Sequence, residues 1–283
     1  MADTDDMPAT DPSPATTAAL AKPKSETRDT LIFLVKLVLA VLIFRSFILS
    51  PFNIPSQSML PRLYVGDYLF VSKWNYGYSR HSLPFSVPLI PGRILGRDPA
   101  RGDVVVFRGP GGDHDVIKRV IGLPGDTVQM RAGQLILNGA AIPKERIADF
   151  TIPITPNYPA GGECPAEFLD ADAQGRQICR YQQFRETLPN GKSYNVLDRG
   201  MSPAADDTQV YAVPAGTVFV MGDNRDDSGD SRFDPPMGMG YVPMDRIEGK
   251  ALVSFFSTDG SASWLLPWTW FTAARWSRIG EGF

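Results

Sequence analysis

Residues 116–126 read VIKRVIGLPGD, a run of β-branched and aliphatic residues that breaks on a Pro-Gly turn. Such a run predicts a strand. Side chains alternate along it, which puts Val116, Lys118 and Val120 on one face and Ile117, Arg119 and Ile121 on the other. Both faces are mainly apolar, so the strand is covered on both sides, and at least one of its two cations must be partly desolvated or paired. Arginine does not deprotonate in a protein, whereas lysine shifts its pKa readily on burial. If either residue is a base, it is Lys118. The plainer reading is a pair of snorkelling cations.

Outward from this stretch the text continues as short strands between turn residues. YLFVSKW (68–74), VVVFR (104–108), VYAV (210–213), TVFVM (217–221) and ALVSFFS (251–257) are all β-branched or aromatic runs. QLILNGAAI (134–142) carries Asn138-Gly139, a hairpin signal. The 26 glycines and 25 prolines among 283 residues exceed the usual combined share of ~12%. These features predict a mainly β protein with an antiparallel core. Text richer in polar and turn residues from about 149 to 207 predicts an inserted β subdomain, here placed at about 127–207, between core segments at about 50–126 and 208–283. Residues 80–99 form a Pro-punctuated apolar loop without a clear period.

The N-terminal fifth differs. Residues 1–29 are rich in Ala, Thr, Pro, Asp and Lys with no apolar period, which predicts a disordered tail. TLIFLVKLVLAVLIFRSFIL (30–49) follows. At 1.5 Å per residue such a helix spans ~30 Å, the thickness of a bilayer core. Its two charges, Lys36 and Arg45, lie near the ends, where long side chains reach the headgroups. No small-residue cleavage site follows, so the segment reads as an uncleaved anchor. At the other end, 264–276 (WLLPWTWFTAARW) holds four of the five tryptophans. Either headgroup contact or core packing accounts for such a segment.

A net charge of −3 leaves no basic excess for a nucleic-acid partner. Cys164 and Cys179 are compatible with one disulfide or with two free thiols. His81 and His114 lie far from the cysteines, so no zinc site and no other metal or cofactor site is expected.

Two further stretches combine polar residues with tight backbone. In IPSQSMLP (54–61), two serines between prolines make a rigid turn that presents hydroxyls; capping or solvation is the plainer reading. MGDNRDDSGDSR (221–232) follows an apolar strand. Counted from Asp223, it lacks the acid or amide, Gly and Glu of a calcium loop at positions 3, 6 and 12. No G-x-S-x-G elbow is present. The two histidines sit in turn-rich text that suits a Ser-His-Asp triad poorly. A Ser-Lys pair follows the same logic, given a lysine that is neutral near the working pH.

Together, P-S-x-S-M (55–59), R-G-D-V-V-V-F (101–107), I-K-R-V-I-G-L-P-G-D (117–126) and G-D-N-R-D-D-S-G-D-S-R (222–232), in this order after an anchor, resemble bacterial type I signal peptidase. The resemblance implies Ser58 as nucleophile, Lys118 as general base, and an oxyanion hole formed by the Ser56 hydroxyl and the Ser58 N–H. It implies that Ser228 hydrogen-bonds the lysine ammonium, with Asp230, Arg232 and Arg119 in support. Phe52, Ile54, Pro55, Met59, Leu63, Val116 and Ile117 match positions lining a groove that takes an extended peptide by strand addition. Gln57 and Val116 depart from the family's pattern, which often has a smaller residue and an aromatic there.

The implied activity is removal of signal peptides from exported preproteins through an ester acyl-enzyme. Its alternatives are a processing peptidase with one dedicated substrate and an inactive peptide-binding module. The implied setting is the lipid bilayer of the bacterial cytoplasmic membrane. There a single-pass monomer has its N-terminus inside, in agreement with Lys22, Lys24 and Arg28 before the anchor. The catalytic domain then lies outside, where Cys164 and Cys179 would be oxidised to each other.

Overall fold

A computed structural model of the chain describes residues 26–112, 114–200, 202–263 and 265–283. Residues 1–25 of the expected disordered tail, with Lys22 and Lys24, lie outside the described residues, as does Trp264. The apolar segment is a helix, Glu26–Phe47, of 22 residues, long and apolar enough to cross a membrane. It starts four residues before the expected anchor and stops two residues short of the anchor's expected end. Glu26 and Asp29 suit the positive N-terminal end of the helix dipole and extend it backwards, so residues 26–29 are helical and not part of a disordered tail. At the other end the Ile48 N–H still reaches the Phe44 carbonyl at 2.8 Å, but Leu49 already begins a strand.

From residue 41 on, the chain forms one compact unit. Its main sheet has seven strands. In spatial order they are Leu49–Asn53, Asp67–Ser72, Ile247–Ser257, Val104–Arg108, Asp115–Gly122, Thr217–Met221 and Val242–Pro243, each antiparallel to its neighbours. The 104–108 and 217–221 strands have the expected limits. The 115–122 strand stops before Leu123, where the Pro-Gly turn takes over. Alternation also holds. Val104, Val106 and Ile117 pack in one apolar cluster with Met59, Leu63 and Leu69, while Val105, Phe107 and Val120 pack in another with Val218 and Val220. The central strands are therefore covered on both faces.

The Asn138-Gly139 turn joins Gln134–Leu137 to Ala140–Ala141, and both turn residues have positive φ, 52° and 79°, as a two-residue hairpin turn requires. This hairpin belongs to a sheet with Thr127–Arg131 and Tyr211–Ala212. A separate four-stranded antiparallel sheet follows, from Lys144–Pro153, Leu169–Ala171, Gln177–Thr187 and Ser193–Leu197. A disulfide joins Cys164, in the connection before Leu169–Ala171, to Cys179 on the Gln177–Thr187 strand. The 80–99 loop contains two short 3-10 turns, Arg80–Ser82 and Pro84–Ser86. Near the C-terminus, Trp268, Trp270, Phe271 and Trp276 are exposed, which removes core packing as their role.

Candidate active site

The main sheet leaves two strand edges open toward one space. Leu49–Asn53 is an end strand with only Asp67–Ser72 beside it. Residues 115–118 pair with 105–108 on one side, but on the other side Thr217–Met221 meets the strand only from Arg119 onward. Both open segments line a groove of about 530 Å³, together with the turn from Ile54 to Ser58.

Lys118 and Ser58 meet on this groove. Lys118 Nζ lies 2.6 Å from Ser58 Oγ and 3.0 Å from the Ile117 carbonyl oxygen. Both side chains are buried, at 4% and 7% exposure. Burial pulls the Lys118 amine down to about 8, against the opposing pull of the Asp230, Asp223 and Asp227 carboxylates. An amine with that pKa is partly neutral near pH 7 to 8 and has a lone pair for the Ser58 hydroxyl proton. Ser56 Oγ is 3.4 Å from Ser58 Oγ and exposed to the groove. No described residue accepts a hydrogen bond from the Ser58 N–H.

The 222–232 loop fastens this turn. The Asn224 N–H donates to the Ser58 carbonyl at 3.1 Å, and Asn224 Nδ2 donates to the Gln57 carbonyl at 3.2 Å. The loop is built on three buried two-point ion pairs. Arg119 Nε and Nη2 reach the two oxygens of Asp223 at 2.7 and 2.6 Å. Arg232 Nε and Nη2 reach those of Asp230, each at 2.9 Å. Arg225 reaches those of Glu186, with Tyr194 donating to the same carboxylate at 2.8 Å. Burial alone would raise the Asp230 carboxyl; the Arg232 guanidinium and the Gly222 N–H outweigh it and hold it below the usual range.

Three expectations need correction. Ser228 does not hydrogen-bond the lysine: its hydroxyl is buried and has no partner among the described residues. It sits instead against Gly222, across from the Ser58 carbonyl, and the amine spends its contacts on Ser58 and Ile117. Met59 and Leu63 do not line the groove. Both are fully buried in the apolar cluster with Val104, because a turn that presents Ser58 outward directs its next residues inward. The other expected residues, Phe52, Ile54, Pro55, Val116 and Ile117, do line it. Sequence reasoning missed Asp223, Asn224 and the Arg225–Glu186–Tyr194 cluster. Arg225 and Asp223 lay inside a quoted motif, but their partners come from elements far away in sequence. His114 lines the groove and His81 does not.

A serine hydroxyl held by a buried amine, on the floor of a groove open to an extended chain, is the equipment of a serine endopeptidase. The family model described as "Signal peptidase, peptidase S26" matches residues 27–256. Among curated proteins, the Signal peptidase I of Rickettsia typhi is 36% identical over 227 residues, 77% of this chain and 75% of that protein. The Signal peptidase I of Rickettsia canadensis is 36% identical over 233 residues, 78% and 77% of the respective chains. A crystal structure of a signal peptidase I from Enterococcus faecalis V583 aligns at 25% identity and a TM-score of 0.28, over 54% of this chain and 97% of that one. The chain belongs to the signal peptidase family, peptidase S26, and within it to the bacterial type I enzymes. It is a membrane-anchored serine endopeptidase.

Proposed function

We propose that the protein removes N-terminal signal peptides from exported preproteins, with Ser58 as nucleophile and Lys118 as general base. The observation that carries this reading is the 2.6 Å contact between a buried, pKa-depressed amine and a hydroxyl on the groove floor. The peptide lies extended between the open edges of 49–53 and 115–118 and completes the hydrogen bonding of both. Neutral Lys118 takes the Ser58 proton while Oγ attacks the scissile carbonyl. Charge then develops on the carbonyl oxygen, where the Ser58 N–H and the Ser56 hydroxyl donate to it. The C–N bond breaks, the lysine ammonium returns its proton to the leaving amine, and the signal peptide remains as an ester on Ser58. A water molecule, deprotonated by Lys118, hydrolyses that ester and restores the serine.

Asp230 and Arg232 shape the loop that carries Gly222 and Ser228. Arg119 holds Asp223, whose backbone leads into the Asn224 clamp. The helix Glu26–Phe47 spans the cytoplasmic membrane with the N-terminus inside, and the catalytic domain of the monomer works on the outer side. The inserted part of the domain, about 127–207, supports the nucleophile turn and is no separate catalytic unit. The test is cleavage of a preprotein by the wild type and by Ser58→Ala. Loss of cleavage in a folded Ser58→Ala protein supports the reading; retained cleavage overturns it.

A further inference from the structure

Gln57 stands between the proposed oxyanion donor and the proposed nucleophile, and its two carbonyl oxygens are held from different directions. Its backbone carbonyl accepts from Asn224 Nδ2 at 3.2 Å and from the Leu60 N–H at 3.0 Å. Its side-chain Oε1 accepts from the Tyr158 hydroxyl at 2.8 Å. The Tyr158 and Tyr181 hydroxyls lie 2.8 Å apart. Tyr158 spends its proton on Gln57, so Tyr181 donates to Tyr158. Both tyrosines are 1% exposed. Buried hydroxyls of this kind have fixed partners and little freedom to reorient.

That chain of hydrogen bonds ends at Tyr181, which stands on the strand Gln177–Thr187 that also carries the disulfide's Cys179. Tyr181 Oη lies 3.0 Å from Cys179 Sγ and 3.4 Å from the Glu163 carbonyl, and Glu163 also lines the groove. The second sheet is thus wired to the turn that presents both serines. Loop 222–232 fixes that turn through main-chain carbonyls, whereas the Gln57 side chain is held by the Tyr158 hydroxyl.

We propose that Gln57 is a positioning residue, through which the Tyr158–Tyr181 pair sets the relative orientation of the Ser56 and Ser58 hydroxyls. The proposal rests on the reading of Ser58 as nucleophile. Gln57 touches no reacting atom in this scheme; it acts by removing rotational freedom from the residues on either side. A displacement of about 1 Å at reacting groups costs up to ~10²-fold in rate. A turn loosened at one of three tethers should therefore lose about tenfold.

The experiment compares Gln57→Met, Tyr158→Phe and the double variant in the full-length enzyme, with a preprotein as substrate. Methionine keeps the length of the side chain and removes the acceptor; phenylalanine removes only the hydroxyl. Each single variant should lower kcat about tenfold and leave KM within about twofold. The double variant should lose no more than either single one, because both cut the same connection. The pH at which kcat/KM rises should stay where it is, since the lysine environment is untouched. Wild-type kcat in folded Gln57→Met overturns the proposal. So do losses that multiply in the double variant, or an equal fall in stability with kcat unchanged. Ser58→Ala, run alongside, separates the two readings: if it retains activity, the assignment of the nucleophile fails first.

Discussion

Lys118 and Arg119 are adjacent on one strand, equally buried, and given opposite kinds of partner. Arg119 keeps its charge and receives both oxygens of Asp223, with the Tyr194 ring 4.3 Å from the guanidinium carbon. Lys118 has a serine hydroxyl and a main-chain carbonyl for partners. The residue that cannot lose its proton is given a counter-ion, and the residue that can is given a substrate-facing hydroxyl. Exchanging the two would place a permanent cation beside Ser58 and, in the proposed mechanism, end base catalysis.

The first prediction is the pH dependence of cleavage. Lys118 must be neutral to accept the Ser58 proton, so kcat/KM should rise with pH and level off above about 8. Below that value it should fall about tenfold per pH unit. A rise that begins only near the ~10.4 of a free lysine would remove Lys118 from the role of base.

A second prediction turns the same shift into stability. The folded-state pKa of Lys118 lies below its unfolded value, so between about 8 and 10 the unfolded chain binds more protons and stability rises with pH. Below about 8 both states are protonated and the folded protein carries the full penalty of a buried charge. A shift of this size corresponds to about 3 kcal/mol at 1.36 kcal/mol per unit. Lys118→Met should therefore be inactive yet more stable than wild type at pH 7, with the gain shrinking toward pH 10. Denaturant titrations at the two pH values measure it. A less stable methionine variant would show that the amine's contacts outweigh its desolvation.

The strand text around Lys118 was legible because both its faces are apolar, and an alternating pattern with cations in it admits few placements. The central strands and the Asn138-Gly139 hairpin came from the same local signals. The helix ends did not, since acidic residues at 26 and 29 read as tail until a helix dipole gives them a role. Met59 and Leu63 were assigned to the groove by matching positions along the chain. Whether a residue after a turn points out or in depends on what packs beneath it, here Val104 and Leu69. Glu186, Tyr158 and Tyr181 carried no signal at all: each acts on the site through a partner 23 to 101 positions away, and only the fold brings them together.

Gly222 supplies a third prediction. A Cβ built there would lie 2.3 Å from Ser228 Oγ and 2.5 Å from the Ser58 carbonyl oxygen. Its backbone φ is not in the left-handed region, so the demand is for space and not for glycine's conformational freedom. Gly222→Ala should push the loop off the nucleophile turn and lower kcat by roughly 10²-fold, the scale of an ångström-sized displacement. Near-normal turnover in the purified variant would mean that the turn tolerates more movement than its hydrogen bonds suggest.

The disulfide yields a fourth. Cys164 and Cys179 close a loop with a sequence separation of 15, for which the chain-entropy estimate is about 3 kcal/mol. Replacing both with serine should lower stability by about 2–4 kcal/mol. Thiol labelling of denatured, unreduced protein from its native membrane should find neither cysteine accessible. Two free thiols there would contradict the linkage and count against the proposed placement of this segment outside the cytoplasm.

The last prediction concerns Ser56. In acyl transfer the carbonyl oxygen gains charge only as the transition state forms, so a donor placed there accelerates the reaction without tightening substrate binding. Ser56 Oγ is exposed to the groove, 3.4 Å from Ser58 Oγ, and Pro55 precedes it. Ser56→Ala should lower kcat by roughly 10²–10³, about 2.7–4 kcal/mol, with little change in KM. Ser56→Thr keeps the hydroxyl and should retain much of the activity, since the exposed position leaves room for a methyl group. If Ser56 only stabilised the turn, alanine would lower the melting temperature more than it lowers turnover. Measuring kcat, KM and Tm for both variants separates the roles, and an alanine variant with unchanged kcat takes Ser56 out of the mechanism.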